Sequence, residues 1–230
     1  MSESTIVAPA TAPGRGGISI IRLSGPKSLL LAEDLCGELG SPRKFKFCKI
    51  IKKSGEIVDT GMVVYFKSPN SYTGEDVVEL HCHGNPKLVD LIVAECVSLG
   101  AKVAEPGEFT KRAYLNNKID LAQAESVADL IAAQTEEAAL AAHASLSGGF
   151  SANINDCIDA LVASRAYIEA SLDFPEEGLE QKELDRIGLE IKEQLDFVRS
   201  TISSSKKGVL AREGYCVAIV GAPNAGKSTL

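Results

Sequence analysis

Near residue 118 the sequence changes its period, and this change constrains the fold more than any other feature. Ahead of it, short apolar segments alternate with glycine, proline and serine turns. Behind it, residues 120–146 run without proline, and Leu121, Ala124, Val127, Ala128 and Ile131 draw one apolar helical face. No single sheet or bundle satisfies both patterns. The chain is predicted to hold an α/β (α+β) domain over residues 1–118 and an α-helical domain over 119–212.

In the front domain, GISIIRLSG (17–25) reads as a strand, and Pro26 opens a helix through KSLLLAEDLC. KFKFCKIIK (44–52) and VDTGMVVYF (58–66) flank the turn SGE (54–56) and read as a hairpin. DVVELHCHG (76–84) is a further strand, and PKLVDLIVAECVSLG (86–100) is a helix closed by Gly100. AKVAEPGEF (101–109) reads as one more strand or an extended segment.

The helical region offers three stripes. After 120–146, which Gly148 and Gly149 break or loosen, INDCIDALVASRAYIEASLDF (154–174) stops at Pro175. Leu184, Ile187, Ile191, Leu195 and Val198 make the third. Such stripes must pack on each other or on further chain. SSSKKG (203–208) reads as a linker into YCVAIVG (215–221), an apolar run suited to a strand buried on both faces.

That strand leads into GAPNAGKST, which fits G-x-x-x-x-G-K-[ST]. Gly221, Ala222 and Pro223 enter the loop, and backbone N–H groups from Ala222 to Gly226 would meet phosphate oxygens. Lys227 would neutralise the β and γ phosphates, and the Ser228 hydroxyl would ligate magnesium. The pattern marks a nucleoside triphosphate and is silent on the base. Residues 213–230 are therefore expected to begin a P-loop domain that continues past residue 230.

Net charge is −7, which excludes a protein coated in positive field but leaves room for a local basic patch. Six cysteines form no C-x-x-C pair, as expected of free thiols in a reducing compartment. The first residues carry no basic leader with an apolar run, and no stretch has the length of a membrane span. A soluble cytoplasmic chain is the expectation.

Charged residues inside apolar strands are the next candidates. Arg22 interrupts IIRL and Glu79 interrupts VVELHC. Two readings stand: a structural salt bridge, or a pocket where cation and anion face different ends of one polar ligand. A carboxylate such as Glu79 can accept two parallel hydrogen bonds from an amidine-like edge, for example a pterin. His81 and His83 share one strand face with Cys82 on the other, a weak metal site without a third ligand. Arg15 sits in a glycine-rich turn. Arg43, Lys44, Lys46, Lys49, Lys52 and Lys53 surround a strand, the pattern of a solvated edge or of a nucleic-acid surface.

Four blocks carry a family resemblance: TIVAPATAPGRGGISIIRLSG, PNSYTGEDVVELHCHGNP, PGEFTKRAYLNNKIDLAQAESVADLI and GAPNAGKST. Together they resemble the tRNA-modification GTPases known as MnmE or TrmE, across essentially the whole chain. The resemblance implies a tetrahydrofolate-binding front domain that dimerises, and a helical domain with a Ras-like GTPase domain inserted in it. It implies work with the FAD-containing flavoprotein MnmG, as a heterotetramer. The product would be an aminomethyl or carboxymethylaminomethyl group on carbon 5 of the tRNA wobble uridine.

By position, the family's folate contacts fall on Arg22, Glu79 and Lys118, with 5-formyl- or 5,10-methylene-tetrahydrofolate as ligand. Its GTP loop falls on Asn224, Ala225, Gly226, Lys227, Ser228 and Thr229. Asn224 would help bind potassium, and Ser228 magnesium. Asn85 stands where the family commonly has a second glycine after HG. The switch threonines, D-x-x-G, N-K-x-D and C-terminal cysteine motif of the family do not follow the loop here and are expected beyond residue 230. This chain alone is therefore expected to show little GTP turnover. A folate-binding module without catalysis and a P-loop ATPase remain the alternatives.

Overall fold

The computed structural model describes residues 4–173 and 181–213, with positions 218, 220, 221 and 227. The chain divides into two compact units, residues 1–124 and 125–230.

The first unit is built on a six-stranded mixed sheet. Its strands are β1 (Ile6–Pro9), β2 (Gly16–Ser24), β3 (Lys46–Ile51), β4 (Ile57–Phe66), β5 (Val77–Gly84) and β6 (Lys102–Val103). They lie in the order β3-β4-β5-β2-β1-β6, and β1 and β6 are the parallel pair. Strand alternation separates two faces. On one, Ile21 and Leu23 of β2, Leu80 of β5 and Ile50 of β3 meet Leu31 and Leu35 of α1 (Ser28–Cys36) and Ile92 and Cys96 of α2 (Pro86–Ser98). Burying each large side chain here contributes about 1.5–3 kcal/mol. α2 starts cleanly because Asn85 Oδ1 accepts the Lys87 N–H at 2.9 Å and Pro86 stands in the first turn. Asn85 thus serves as a helix cap at the position where the resemblance led us to expect glycine.

The other face carries the candidate residues in two rows. Ala8, Arg22, Glu79 and Val64 are register partners across β1, β2, β5 and β4. Ile20, His81, Met62 and Phe47 form the next row. Close approach of the strands requires glycine at Gly61, where a Cβ would collide with the His81 carbonyl oxygen. Near the first row, α3 (Glu108–Leu115) and the 67–76 loop approach the sheet. Farther along, Ile18, Phe47 and Met62 are exposed.

Two sequence expectations change in this unit. The 101–109 segment is a strand only at Lys102–Val103, and Glu108 already begins α3 behind a left-handed Gly107. β1 and α3 were not foreseen as elements. Of the basic residues around β3, Lys46 and Lys49 lie on this edge strand and the others flank it, with Lys52 paired to Glu56 and Arg43 Nη2 donating to the Asn70 carbonyl.

The helical expectation is met with different breaks. α4 (Leu121–Ala132) and α5 (Glu136–Leu146) replace one long helix over 120–146. Thr135 causes the restart: its backbone is extended, and Oγ1 accepts the Ala138 N–H at 3.1 Å. Gly148, at φ 86°, separates α5 from α6 (Gly149–Asp173). The stop at Pro175 lies outside the described residues. α7 (Gln181–Glu213) runs straight through 203–208, so the linker there is corrected to helix. Serines in that stretch remain compatible with helix because Ser204 and Ser205 bond back to the Thr201 and Ile202 carbonyls.

Within the second unit, Tyr167 OH donates to Glu183 Oε1 at 2.7 Å and Ser164 Oγ to Glu190 Oε2 at 3.3 Å, tying α6 to α7. Cys157 and Ile187 are buried, while Leu140, Leu172, Leu189 and Ile202 stay exposed. Among the described residues no helix is long and apolar enough to cross a membrane.

The strand expected at 215–221 is corrected at its described positions. Residues 218, 220 and 221 belong to no regular element, and Val220 is 91% exposed. A strand needs a partner for its backbone groups.

Candidate functional site

Arg22 and Glu79 face each other across β2 and β5, and the structure joins them. Arg22 Nε donates to Glu79 Oε1 at 2.9 Å, and Nη2 forms an ion pair with the same oxygen at 2.8 Å. Both side chains are partly exposed, at 25% and 15%, so the pair borders solvent rather than the core. The guanidinium is also walled by aromatic rings: Tyr72 lies 5.3 Å from Arg22 Cζ to the ring centroid, and Phe109 5.7 Å. Such contacts add about 0.5–1 kcal/mol each at exposed sites. Tyr72 shares a 2.8 Å hydroxyl hydrogen bond with Thr110, so α3 fixes both rings.

One face of this arrangement is polar and paired, with flat rings beside it. Glu79 Oε1 is occupied twice by Arg22, whereas no protein group donates to Oε2 among the described residues. A ligand offering parallel N–H donors to Glu79 and an acceptor to Arg22 would satisfy both partners at once. The salt bridge is the geometry observed. The pocket in which the two charges address different ligand atoms requires Arg22 to swing off Glu79.

Lys118 is held elsewhere. Its Nζ donates to the Pro69 carbonyl at 3.0 Å, and its stem lies against Gly74. It touches the loop that carries Tyr72, and among the described residues no hydrogen bond or ion pair links it to Arg22 or Glu79. Residues 117–120 happen to spell N-K-x-D, but Asp120 is used as a helix cap: Oδ1 accepts the Gln123 N–H at 2.9 Å and Gln123 Oε1 accepts the Asp120 N–H at 3.0 Å.

The histidines separate. His81 Nε2 stands 3.5 Å from Glu79 Oε2, while His83 Nδ1 meets Asp59 Oδ1 at 2.8 Å. Burial alone would raise the Asp59 pKa. The His83 backbone N–H, the His83 ring and the Thr60 N–H together outweigh it and hold Asp59 below the usual carboxylate range. Cys82 points into the core as alternation required, and burial together with Asp59 pushes its thiol up to about 11. Such a thiol is a packing group, not a nucleophile.

Residues that sequence reading missed support the site from behind. Arg112 of α3 donates from Nη1 to both Glu75 oxygens, at 3.3 and 3.1 Å, and from Nη2 to Glu108 Oε1 at 2.9 Å. Ser24 Oγ donates to Glu75 Oε2 and lies 2.7 Å from Thr73 Oγ1. This network fixes the loop bearing Tyr72 to the end of β2 bearing Arg22. A charged pair four residues apart in EFTKR was the available signal.

Of the terminal loop, Lys227 Nζ donates to the Gly221 carbonyl at 2.8 Å. Ala222, Pro223, Asn224, Ala225, Gly226, Ser228 and Thr229 lie outside the described residues.

Comparison with known proteins decides the family. The model described as "GTP-binding protein TrmE N-terminus" matches residues 5–118, and "MnmE helical domain" matches 121–216. The chain belongs to the MnmE/TrmE family. It is 46% identical over its full length to the tRNA modification GTPase MnmE of Legionella pneumophila (strain Paris), covering 52% of that protein. Relatives of the same name from Thiobacillus denitrificans and Francisella tularensis subsp. tularensis (strain WY96-3418) are each 48% identical, over 98% and 100% of this chain and 50% and 51% of theirs. The chain spans about half the length of these relatives. The Arg22–Glu79 row falls inside the segment matched to the family's N-terminal domain.

Proposed function

We propose that the first unit binds a tetrahydrofolate, 5-formyl or 5,10-methylene, at the Arg22–Glu79 row, and that it serves a GTPase of tRNA wobble-uridine modification. The observation that carries the folate reading is the cross-strand pair itself. Glu79 presents a carboxylate able to take the paired N–H donors of a pterin. Arg22, between Tyr72 and Phe109, would swing off Glu79 and turn to an acceptor on the same ligand. Tyr72 and Phe109 supply flat surface for a ring. Lys118, on the adjoining loop, would answer a folate carboxylate after leaving the Pro69 carbonyl.

The names of the relatives support GTP hydrolysis and tRNA modification for the full-length protein. There Asn224 to Thr229 would hold GTP, with Lys227 on the phosphates, Ser228 on magnesium and Asn224 at potassium. Self-association of the first unit is supported by exposed Ile18, Phe45, Phe47 and Met62, apolar side chains that a second copy would cover. MnmG and tRNA are proposed as the partners of the complete protein, and the cytoplasm as its compartment.

Equilibrium binding of 5-formyl-tetrahydrofolate to the chain tests the folate reading. Saturable binding at one site per chain supports it, and absence of binding at millimolar ligand rejects it.

A further inference from the structure

His81 holds the side-chain atom that the fold leaves least satisfied. Among the described residues its Nε2 is buried and has no hydrogen-bond partner. Leaving a buried polar atom in this state is costly, and native structures keep few such atoms without a use. The ring is not loosely placed. Phe45 meets it edge-on, with centroids 5.2 Å apart and planes at 90°. Apolar Ile20 and Met62 flank it in its row of the sheet.

The nearest acceptor is Glu79 Oε2, at 3.5 Å. That distance lies just outside a hydrogen bond, and a small turn of the carboxylate closes it. At present the carboxylate is turned the other way, since both the hydrogen bond from Arg22 Nε and the ion-pair contact of Nη2 fall on Oε1. Nε2 therefore waits beside the Glu79 oxygen that, among the described residues, accepts no hydrogen bond. The charged groups facing His81 are Glu79 on its own strand and Arg22, bound to Glu79, on β2.

We propose that His81 is a positioning residue for Glu79: its Nε2–H bonds to Oε2 when a ligand edge with paired N–H donors displaces Arg22. The bond fixes the plane of the carboxylate so that both oxygens address the two ligand donors in parallel. It also replaces the stabilisation that Glu79 loses when the guanidinium leaves. The pocket then selects an aminopyrimidinone-like edge by geometry, because a single-donor ligand cannot use a carboxylate held in that plane. The choice of ligand rests on the folate reading; the His81–Glu79 bond does not.

Two substitutions separate donor from shape. His81→Phe keeps ring volume and the Phe45 contact but removes the N–H, whereas His81→Gln restores a donor near Nε2. The probe is 5-formyl-tetrahydrofolate, followed by calorimetry, together with the imidazole nitrogen signals of the wild-type chain. His81→Phe is expected to weaken binding about tenfold, the scale of a hydrogen bond to a charged group, and His81→Gln to stay within about threefold of wild type. The nitrogen spectrum should show the Nε2–H tautomer, and its proton signal should move on ligand addition and lose definition in Glu79→Gln. Equal affinity of folded His81→Phe and wild type overturns the proposal, as does an Nδ1–H tautomer. If the wild-type chain binds no tetrahydrofolate, the folate reading fails by itself. The tautomer of the ligand-free chain then still decides: Nε2–H keeps His81 as a donor aimed at Glu79, Nδ1–H overturns the proposal, and this holds even if His81→Phe does not fold.

Discussion

Arg112 of α3 and Glu75 of the 67–76 loop form an enclosed ion pair, Nη1 to Oε2 at 3.1 Å with side chains only 6% and 5% exposed. Around it, Glu108, Ser4 and Ser24 complete the hydrogen bonds of both ions. Charges this deep tolerate burial only when paired and satisfied. Arg112→Ala leaves Glu75 enclosed without its cation and should cost about 3–5 kcal/mol of stability. Denaturant unfolding of the two chains checks this, and a loss below 1 kcal/mol would show that water enters and replaces the guanidinium.

The same cluster sets a pH dependence. Burial pushes the Glu108 carboxyl up, but the Glu105 N–H and the Arg112 guanidinium more than offset it and hold the pKa below its ordinary 4.5. Asp59 is likewise held below 3.8. A carboxylate with a depressed folded pKa stabilises the fold above its unfolded pKa, and that stability is lost as pH falls through the folded value. The first unit should therefore lose stability below about pH 4.5, with a shallower slope in Glu108→Gln. Thermal unfolding midpoints across that range measure it. An unchanged slope would remove Glu108 from the explanation.

Thr135 explains why the proline-free stretch is two helices. Thr135→Ala should lower the stability of the helical unit by about 1 kcal/mol, as lost caps do elsewhere. Circular dichroism during unfolding reports it. Thr135→Asp should retain the cap, and a wild-type-like alanine variant would mean that packing of α5 alone defines the break.

Patterns of two kinds made the fold legible. Charges interrupting the apolar strands IIRL and VVELHC singled out Arg22 and Glu79, and register then made them neighbours. Helical spacing gave α2, α6 and α7. What stayed hidden depends on longer-range satisfaction. β1 is four residues ending at Pro9, a strand only because β2 and β6 flank it. α3 begins with polar EFTKR, and tertiary bonds from Arg112 hold it in place. Ser203 to Gly208 resembled a linker by composition, yet serine back-bonding lets α7 continue. Lys118 was grouped with Arg22 by family position, whereas the chain folds its amine onto Pro69.

For the nucleotide loop, the expected result concerns the full-length protein. Potassium-dependent phosphate release from GTP should be abolished by Lys227→Ala, because no neighbouring cation of the loop sequence can replace the ammonium at the β and γ phosphates. Phosphate release from full-length wild type and variant provides the comparison. Retained turnover, or preference of the wild type for ATP, would refute the proposed role.

The central claim is that Glu79 recognises a ligand and does more than neutralise Arg22. Calorimetric titration of 5-formyl-tetrahydrofolate into wild type and Glu79→Gln tests it most directly. An amide cannot accept both pterin donors, so the variant should bind more weakly by roughly 1.5–3 kcal/mol while remaining folded. Equal affinity in the two chains would contradict the claim and leave Glu79 as a purely structural partner of Arg22.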